Sequence, residues 1–410
     1  PILMRGLVRV GLLILAACVA APAARATVFS RDGYGWWWDQ GDPIASGRGG
    51  TSVAVAGYGA TGEVNPATTA LASLTYGYGA WVGEIASVKG DAGKFRQRSD
   101  LLPHIGGVIV LPRGLRVMGL LRAQTDATYE RTQHFDASAA GPFDLETKGD
   151  GGWNRLEIGL SGPALDSRLL WGGAVSRIMG SAKEAWTYRF SDASSALIRQ
   201  QIDARLSGGW MGTAGIVAIP DPRLSLGASA TLGGSSRVTQ EVRAVEGGAF
   251  TVSTHGHQDF PSQWALGAQA RFTPRAALSA DLVRTLWGSA AWKPGAGGAV
   301  THPWDSATRW GIGLEYAAAV APNAAAPRLP RWTARTGFAH DQYYVSTSDG
   351  HRVNENGVTL GASARGGHGR SSIDFGIEIG SRGKLAQDGV AESFYRLSIG
   401  ITYSSAVREY

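Results

Sequence analysis

Residues Ser372 to Ile379 read SIDFGIEI, and residues Arg396 to Tyr403 read RLSIGITY. In the first stretch Ile373, Phe375, Ile377 and Ile379 alternate with Ser372, Asp374, Gly376 and Glu378. In the second, Leu397, Ile399, Ile401 and Tyr403 alternate with Arg396, Ser398, Gly400 and Thr402. A period of two places each set on one face of a β-strand. The pattern recurs upstream: Leu156, Ile158 and Leu160 against Arg155, Glu157 and Gly159; Ile202, Leu206, Trp210 and Ile216 against Asp203, Arg205 and Thr213; Leu224 to Leu232; and Ile312, Leu314 and Tyr316. One face carries only aliphatic and aromatic groups, whereas the other carries charge, hydroxyl and glycine. Stretches of about ten such residues, each followed by a turn, are the signature of a transmembrane β-barrel.

A soluble β-sandwich would show the same alternation, so periodicity alone does not separate the two. Aromatic residues near strand ends (Trp153, Trp171, Trp264, Trp310, Trp332, Tyr403) and the regular exchange of short with long connections both fit a barrel with interfacial girdles. Short turns fall at Leu111–Gly114, Gly162–Ser167, Pro220–Pro222, Thr273–Arg275 and Gly366–Arg370, with a longer one at Ala321–Pro330. The longer connections are Lys89–Leu102, His134–Asp150, Phe190–Leu197, Glu246–Ala249, Ser289–Thr308, Ser346–Glu355 and Leu385–Ala391. Six inner turns between seven outward hairpins make 14 antiparallel strands, an all-β transmembrane barrel over residues 75–404 with a tail at 405–410.

Composition agrees. Of 410 residues 58 are Gly, and 18% are charged, so long helices do not dominate and the surface is poor in charge. No apolar run long enough for a membrane helix lies beyond the N-terminus. The arginines are dispersed, which gives no nucleic-acid footprint. The single cysteine excludes a disulfide framework. Residues 1–26 read as an address: Met4 follows three residues of read-through, Arg5 and Arg9 precede an apolar Val10–Ala20, and Ala24-Arg25-Ala26 offers a cleavage site. Leu15-Ala16-Ala17-Cys18 also resembles a lipobox, the competing reading.

Residues Ala45 to Ala67 read ASGRGGTSVAVAGYGATGEVNPA. This segment resembles the entry segment of the FadL family of outer-membrane transporters; Arg335–Gln342 (RTGFAHDQ) with Thr359–Ala362 is similar to the family's penultimate hairpins, and Asp281–Trp287 (DLVRTLW) resembles a recurring strand of the family. The resemblance implies that residues 27–74 form a hatch inside the lumen, with Gly47, Arg48, Gly49, Asn65, Pro66 and Ala67 at its centre. It further implies an integral outer-membrane protein, exported by the general secretory route and inserted by the barrel-assembly machinery among lipid and lipopolysaccharide. Its function would be uptake of hydrophobic compounds such as long-chain fatty acids. The tail from Ile373, with Gly380–Gly383 and Glu392–Arg396, is more similar to a divergent branch that includes PorV-like barrels, which implies a secreted-protein partner as the alternative. A general porin is the third reading, and the hatch-like segment argues against it.

Catalytic and metal chemistry find no support in the sequence. There is no Gly-x-Ser-x-Gly elbow and no His-Glu-x-x-His, and no cofactor motif stands out. His255 and His257 are the best metal pair, and loop histidines are usually just solvated. A conduit for acids needs an inward cation, since a guanidinium fork fits a carboxylate. Arg116, Arg335 and Arg396 are the candidates, within an inward set that includes Arg122, Arg155, Arg205 and Arg309. Inward acids compete for them, and Glu315 with Arg335 and Glu378 with Arg396 are expected to pair across adjacent strands. Trp36, Trp37 and Trp38 read either as a seal or ligand contact within the lumen, or as packing at the inner rim or membrane interface.

Overall fold

A computed structural model describes residues 27–404 except 32–33, 39–41, 58, 91–92, 137–140, 191–197, 247–250, 296–297, 318–331, 347–349 and 367–370. Residues 1–26 with Cys18, the 405–410 tail and the whole of the Ala321–Pro330 turn lie outside these residues.

The chain forms a closed antiparallel barrel of 14 strands. In order they are β1 (Tyr76–Gly90), β2 (Gly93–Val110), β3 (Arg116–Ala123 and Tyr129–Phe135), β4 (Phe143–Ala164), β5 (Leu169–Phe190), β6 (Ile198–Asp221) and β7 (Leu224–Leu232 and Ser235–Glu246). They continue as β8 (Thr251–Asp259 and Gln263–Arg271), β9 (Ala276–Thr285 and Trp292–Pro294), β10 (Ala307–Ala317), β11 (Trp332–Ser346), β12 (Arg352–Gly366), β13 (Ser371–Arg382) and β14 (Val390–Ser404). Pairing of β14 with β1, from Tyr76 opposite Ser404 to Gly90 opposite Val390, closes the cylinder.

The side chains face the opposite way from those of a soluble sandwich. Ile158 is 64% exposed and Tyr403 54%, while Glu157 and Glu378 are each 1% exposed. Aliphatic groups therefore point out of the barrel and ionisable groups into it. That arrangement is stable when the outside is lipid and the inside is filled and hydrogen-bonded. Trp171, Trp264, Trp310, Trp332 and Tyr403 point outward as expected. Trp153 does not: it shares the parity of Arg155 and is fully buried on the lumenal side.

The short turns lie at one end, hereafter the inner end. The β4–β5 turn places Leu165, Asp166 and Ser167 at positive φ. At the outer end, two of the expected long loops are strand. β1 and β2 run on to Gly90 and from Gly93, and β3 and β4 run to Phe135 and from Phe143. Beyond the lipid neither face needs to be apolar, so the alternation stops although the backbone ladder continues. Four strands break. β3 is interrupted between Ala123 and Tyr129, and the neighbouring strands β7, β8 and β9 break at about one height. The amide of Phe260 donates to Gly234 O (2.7 Å), and that of Leu286 to Ser262 O (2.8 Å), bridging these breaks.

Residues preceding β1 pack against the inner face of the barrel. A one-turn helix, α1 (Pro43–Ser46), contacts β12, β13 and β14, and the turn Pro66–Leu71 contacts β4, β5 and β6. Close backbone approach needs glycine here. A Cβ on Gly47 would fall 2.7 Å from Gly361 Cα. Gly49, at φ +67°, has the carbonyl oxygens of Ile312 and Phe338 just as close to where a Cβ would stand.

Candidate functional site

The lumenal segment is fixed by polar contacts that the sequence supplies at defined points. Asp42 caps α1, its Oδ1 accepting from Ile44 N at 2.9 Å. Burial pushes the Asp42 carboxyl up to about 7, against the stabilising effect of the Ile44 amide and the charge of Arg48. Arg48 donates to Glu315 (3.0 Å) and to Thr51 O (3.0 Å), and Gly49 N donates to Thr359 Oγ1 (2.9 Å). Asp281 receives the amides of Ser52 and Val53. Asn65 donates to Val53 O (2.7 Å) and Ile216 O (3.0 Å), and its Oδ1 caps Ala67 N. Pro66 follows at the first position of that turn, where its missing N–H costs nothing. Ala67 is fully buried.

Further toward the outer end the three tryptophans lie in the lumen. Trp36 and Trp37 pair as a two-residue strand with Asp126 and Thr125, in the break of β3. Trp36 stacks on Tyr343 (4.8 Å), Trp37 meets Trp287 edge-on (5.0 Å), and Trp287 stacks on Tyr344 (4.3 Å). Trp38 faces Arg396, whose guanidinium lies 4.8 Å from the ring centre, and Arg382 lies 5.0 Å from that of Trp36. These contacts place the three rings in the lumen, packed against barrel residues and away from the membrane interface.

Above this aromatic layer is a cavity of about 350 Å³ lined by Tyr34, Tyr129, Trp153, Trp292 and Trp304, with Lys183, Glu184 and Gln240 on its polar side. Tyr34 joins cavity and layer. Its ring meets Trp153 (5.8 Å) and Trp304 (5.5 Å), its hydroxyl donates to Gln258 (2.7 Å), and its amide donates to the Tyr344 hydroxyl (2.7 Å). Below the layer, between the lumenal segment and the inner turns, a second cavity of about 330 Å³ is polar. Asp42, Arg48, Glu63, Arg271, Arg275 and Glu315 line it.

The candidate arginines are engaged. Arg335 holds Glu315 (2.7 Å) and Ser363 (2.6 Å). Arg396 holds Glu378 (2.6 Å), Glu84 (2.9 Å) and Glu355 (3.1 Å). Both expected cross-strand pairs therefore form, in register with Glu315 opposite Arg335 and Glu378 opposite Arg396. Arg116 donates to Ala72 O (3.0 Å) near the inner end and ties the end of the lumenal segment to β3. Arg122 pairs with Glu63 (3.0 Å), and Arg155 with Glu157 (2.5 Å). Arg309 differs: it is 5% exposed, and its Nε and Nη2 have no hydrogen-bond partner among the described residues. It lies beside Trp36, Trp37 and Trp287, directly under the aromatic layer. His255 contacts Thr239 Oγ1 (3.3 Å).

Several residues of this site were not singled out as site residues by sequence reasoning. Tyr343, Tyr344, Trp287, Trp292 and Trp304 sit at broken or outer strand ends, where no alternation marks the inward face. Arg382 was legible in principle, because it keeps the parity of Asp374 and Glu378. It pairs with Glu84 (2.5 Å), Glu392 (3.0 Å) and Glu355.

Comparison with known proteins agrees with this architecture. The family model of BamG matches residues 220–406. No curated protein sequence matches the chain. Among solved structures, a Pseudomonas aeruginosa FadL homologue is similar at a TM-score of 0.63 and 14% identity, covering 90% of this chain and 99% of that one. The Pseudomonas putida toluene transporter TodX is similar at a TM-score of 0.59 and 18% identity, covering 90% and 98%. The monoaromatic hydrocarbon channel CymD gives a TM-score of 0.59 at 14% identity, covering 89% and 98%. The chain has the fold of the FadL-type channels.

Proposed function

We propose that this barrel is an outer-membrane channel for uptake of hydrophobic compounds, and that residues 27–74 gate it. The observation that carries the reading is the aromatic cavity of about 350 Å³, seated in the lumen directly above a packed layer of tryptophan and tyrosine. A polar-solute porin has no use for such a surface: an apolar lining with a few convergent polar groups is the character of a small-molecule site. The FadL-type fold supports the same reading, as do the solved hydrocarbon and toluene transporters that share it. For an acid such as a long-chain fatty acid, Arg309 offers two buried donors, unpaired among the described residues, beside the aromatic layer. Arg116, Arg335 and Arg396 have theirs committed to Ala72, Glu315 and the Glu84–Glu355–Glu378 group.

The test is mass spectrometry of lipid and hydrocarbon carried by protein purified from outer membranes, for wild type and for Trp153→Ala with Trp292→Ala. Near-stoichiometric hydrophobic ligand, lost in the variant while the barrel stays folded, is the expected result. A barrel without ligand that retains periplasmic or secreted proteins would promote a second reading, a partner-binding barrel. The BamG match over residues 220–406 favours that reading, with barrel assembly as the process served.

A further inference from the structure

Arg382 and Arg396 form the centre of a buried ionic network with Glu84, Glu355, Glu378 and Glu392. Two guanidiniums thus serve four carboxylates. Glu392 is the outermost of these, 2% exposed, and two of its contacts come from the very start of the lumenal segment. Thr27 Oγ1 lies 2.8 and 2.7 Å from its two oxygens, and Val28 N donates to it at 2.9 Å. Thr27 is itself 1% exposed. Its backbone nitrogen is three bonds from that Oγ1, and so within a few ångströms of the same carboxylate.

We propose that Thr27 is the first residue of the exported chain, and that its α-ammonium group is a third cation of this network, seated on Glu392. Hydrolysis of the Ala26–Thr27 amide by a signal peptidase adds one water. Ala26 leaves as a carboxylate, and Thr27 gains the hydrogen that, with a proton from solvent, makes it an ammonium. An amide N–H at the same place would supply a donor but no charge, and buried carboxylates in excess of their cations are costly. Position argues the same way. Glu392 is two residues from the outer end of β14, whereas the lumenal segment joins β1 at the inner end. Thr27 therefore sits at the outer end of the lumen. An unprocessed chain would have to house Val10–Ala20, an apolar run, at the outer mouth. Seating of the segment is thereby coupled to processing. Other charges near this end come from the outer piece of β3, where Arg131, His134 and Asp136 share a cavity with Val28.

Three measurements on the protein purified from outer membranes test this. Mass spectrometry of the N-terminal peptide is expected to begin at Thr27. A mature chain beginning elsewhere, including at a lipidated Cys18, overturns the proposal. Reductive methylation with ¹³C-formaldehyde, followed by NMR titration, reads the α-amine directly. It is expected to titrate at least about one unit above the ~8 of a free terminus, and to return to ~8 in Glu392→Gln. A wild-type value near 8 overturns the proposal whether or not Glu392→Gln folds. Finally, one alanine inserted between Ala26 and Thr27 moves the charge by a residue. The lumenal segment should then lose its protection from proteinase K while the barrel keeps its heat-modifiable mobility, and equal protection would count against the ammonium site.

Discussion

Asp42 shows how one residue's environment sets a measurable behaviour of the lumenal segment. Its carboxyl caps a buried helix turn and is pushed up to about 7 by burial, well above the ~4 of an exposed aspartate. The packed state therefore holds a proton that the unpacked segment gives up between about pH 4 and pH 7. Its stability is full below about pH 4 and declines as pH rises through 7. Asp42→Asn keeps an oxygen acceptor for the Ile44 amide and removes the titration. Proteolytic protection of residues 27–74 should fall between pH 5 and pH 8 in the wild type and stay flat in the variant. A wild-type segment equally protected at both values would contradict this account. At this scale the sequence was most legible where parity and short turns fix the register. Glu378–Arg396 and Glu315–Arg335 follow from counting residues back from a turn. Trp153 was misread because its type suggested a girdle while its parity with Arg155 pointed inward.

Elements were legible where lipid imposes a pattern, and hidden where it does not. Six inner turns and the alternation of β4, β6, β10, β13 and β14 gave the strand number. The outer extensions of β1 to β4 were lost, because backbone pairing continues there without any hydrophobic period. The breaks in β3, β7, β8 and β9 carry no alternation either, yet they bring Trp287, Trp292 and Phe260 into the lumen. The pairing of Trp36–Trp37 with Thr125–Asp126 depends on residues about ninety positions apart and has no local sequence signal. On the gating proposal that short sheet is the seal, since it places Trp36 against Tyr343 and Trp37 against Trp287. Replacing both Trp36 and Trp37 by alanine removes two large rings from the layer between the cavities. Planar-bilayer recordings should show a low ion conductance in the wild type and at least a severalfold increase in the double variant. Unchanged conductance would place the barrier elsewhere along the lumen.

For the molecule as a whole, the decisive physical statement is which solvent the outward face meets. Sequence identities of 14–18% to barrels of the same fold mean that few individual side chains are shared. What carries the fold is the pattern, apolar out and polar in, closed so that no strand edge is left unpaired. That pattern predicts a dependence on depth that a soluble protein would not show. Ile312 lies in the middle of β10, 42% exposed, opposite Ala280 and Phe338 on the neighbouring strands. Tyr316, 43% exposed, lies at the inner end of the same strand, with its ring 5.9 Å from that of Trp332, in the aromatic rim. Both positions point the same way and are equally exposed, so solvent accessibility does not distinguish them. Arginine at Ile312 would stand in hydrocarbon and should cost about 2–4 kcal/mol of folding stability in a bilayer. Arginine at Tyr316 reaches the headgroups and should cost about 0–1 kcal/mol, beyond what loss of the ring contact with Trp332 adds. Reversible unfolding in lipid vesicles, followed by tryptophan fluorescence, measures both. In detergent, where the apolar shell is thin and deformable, the difference should shrink. Equal costs at the two depths in vesicles would mean that the apolar band of this barrel does not lie in the membrane.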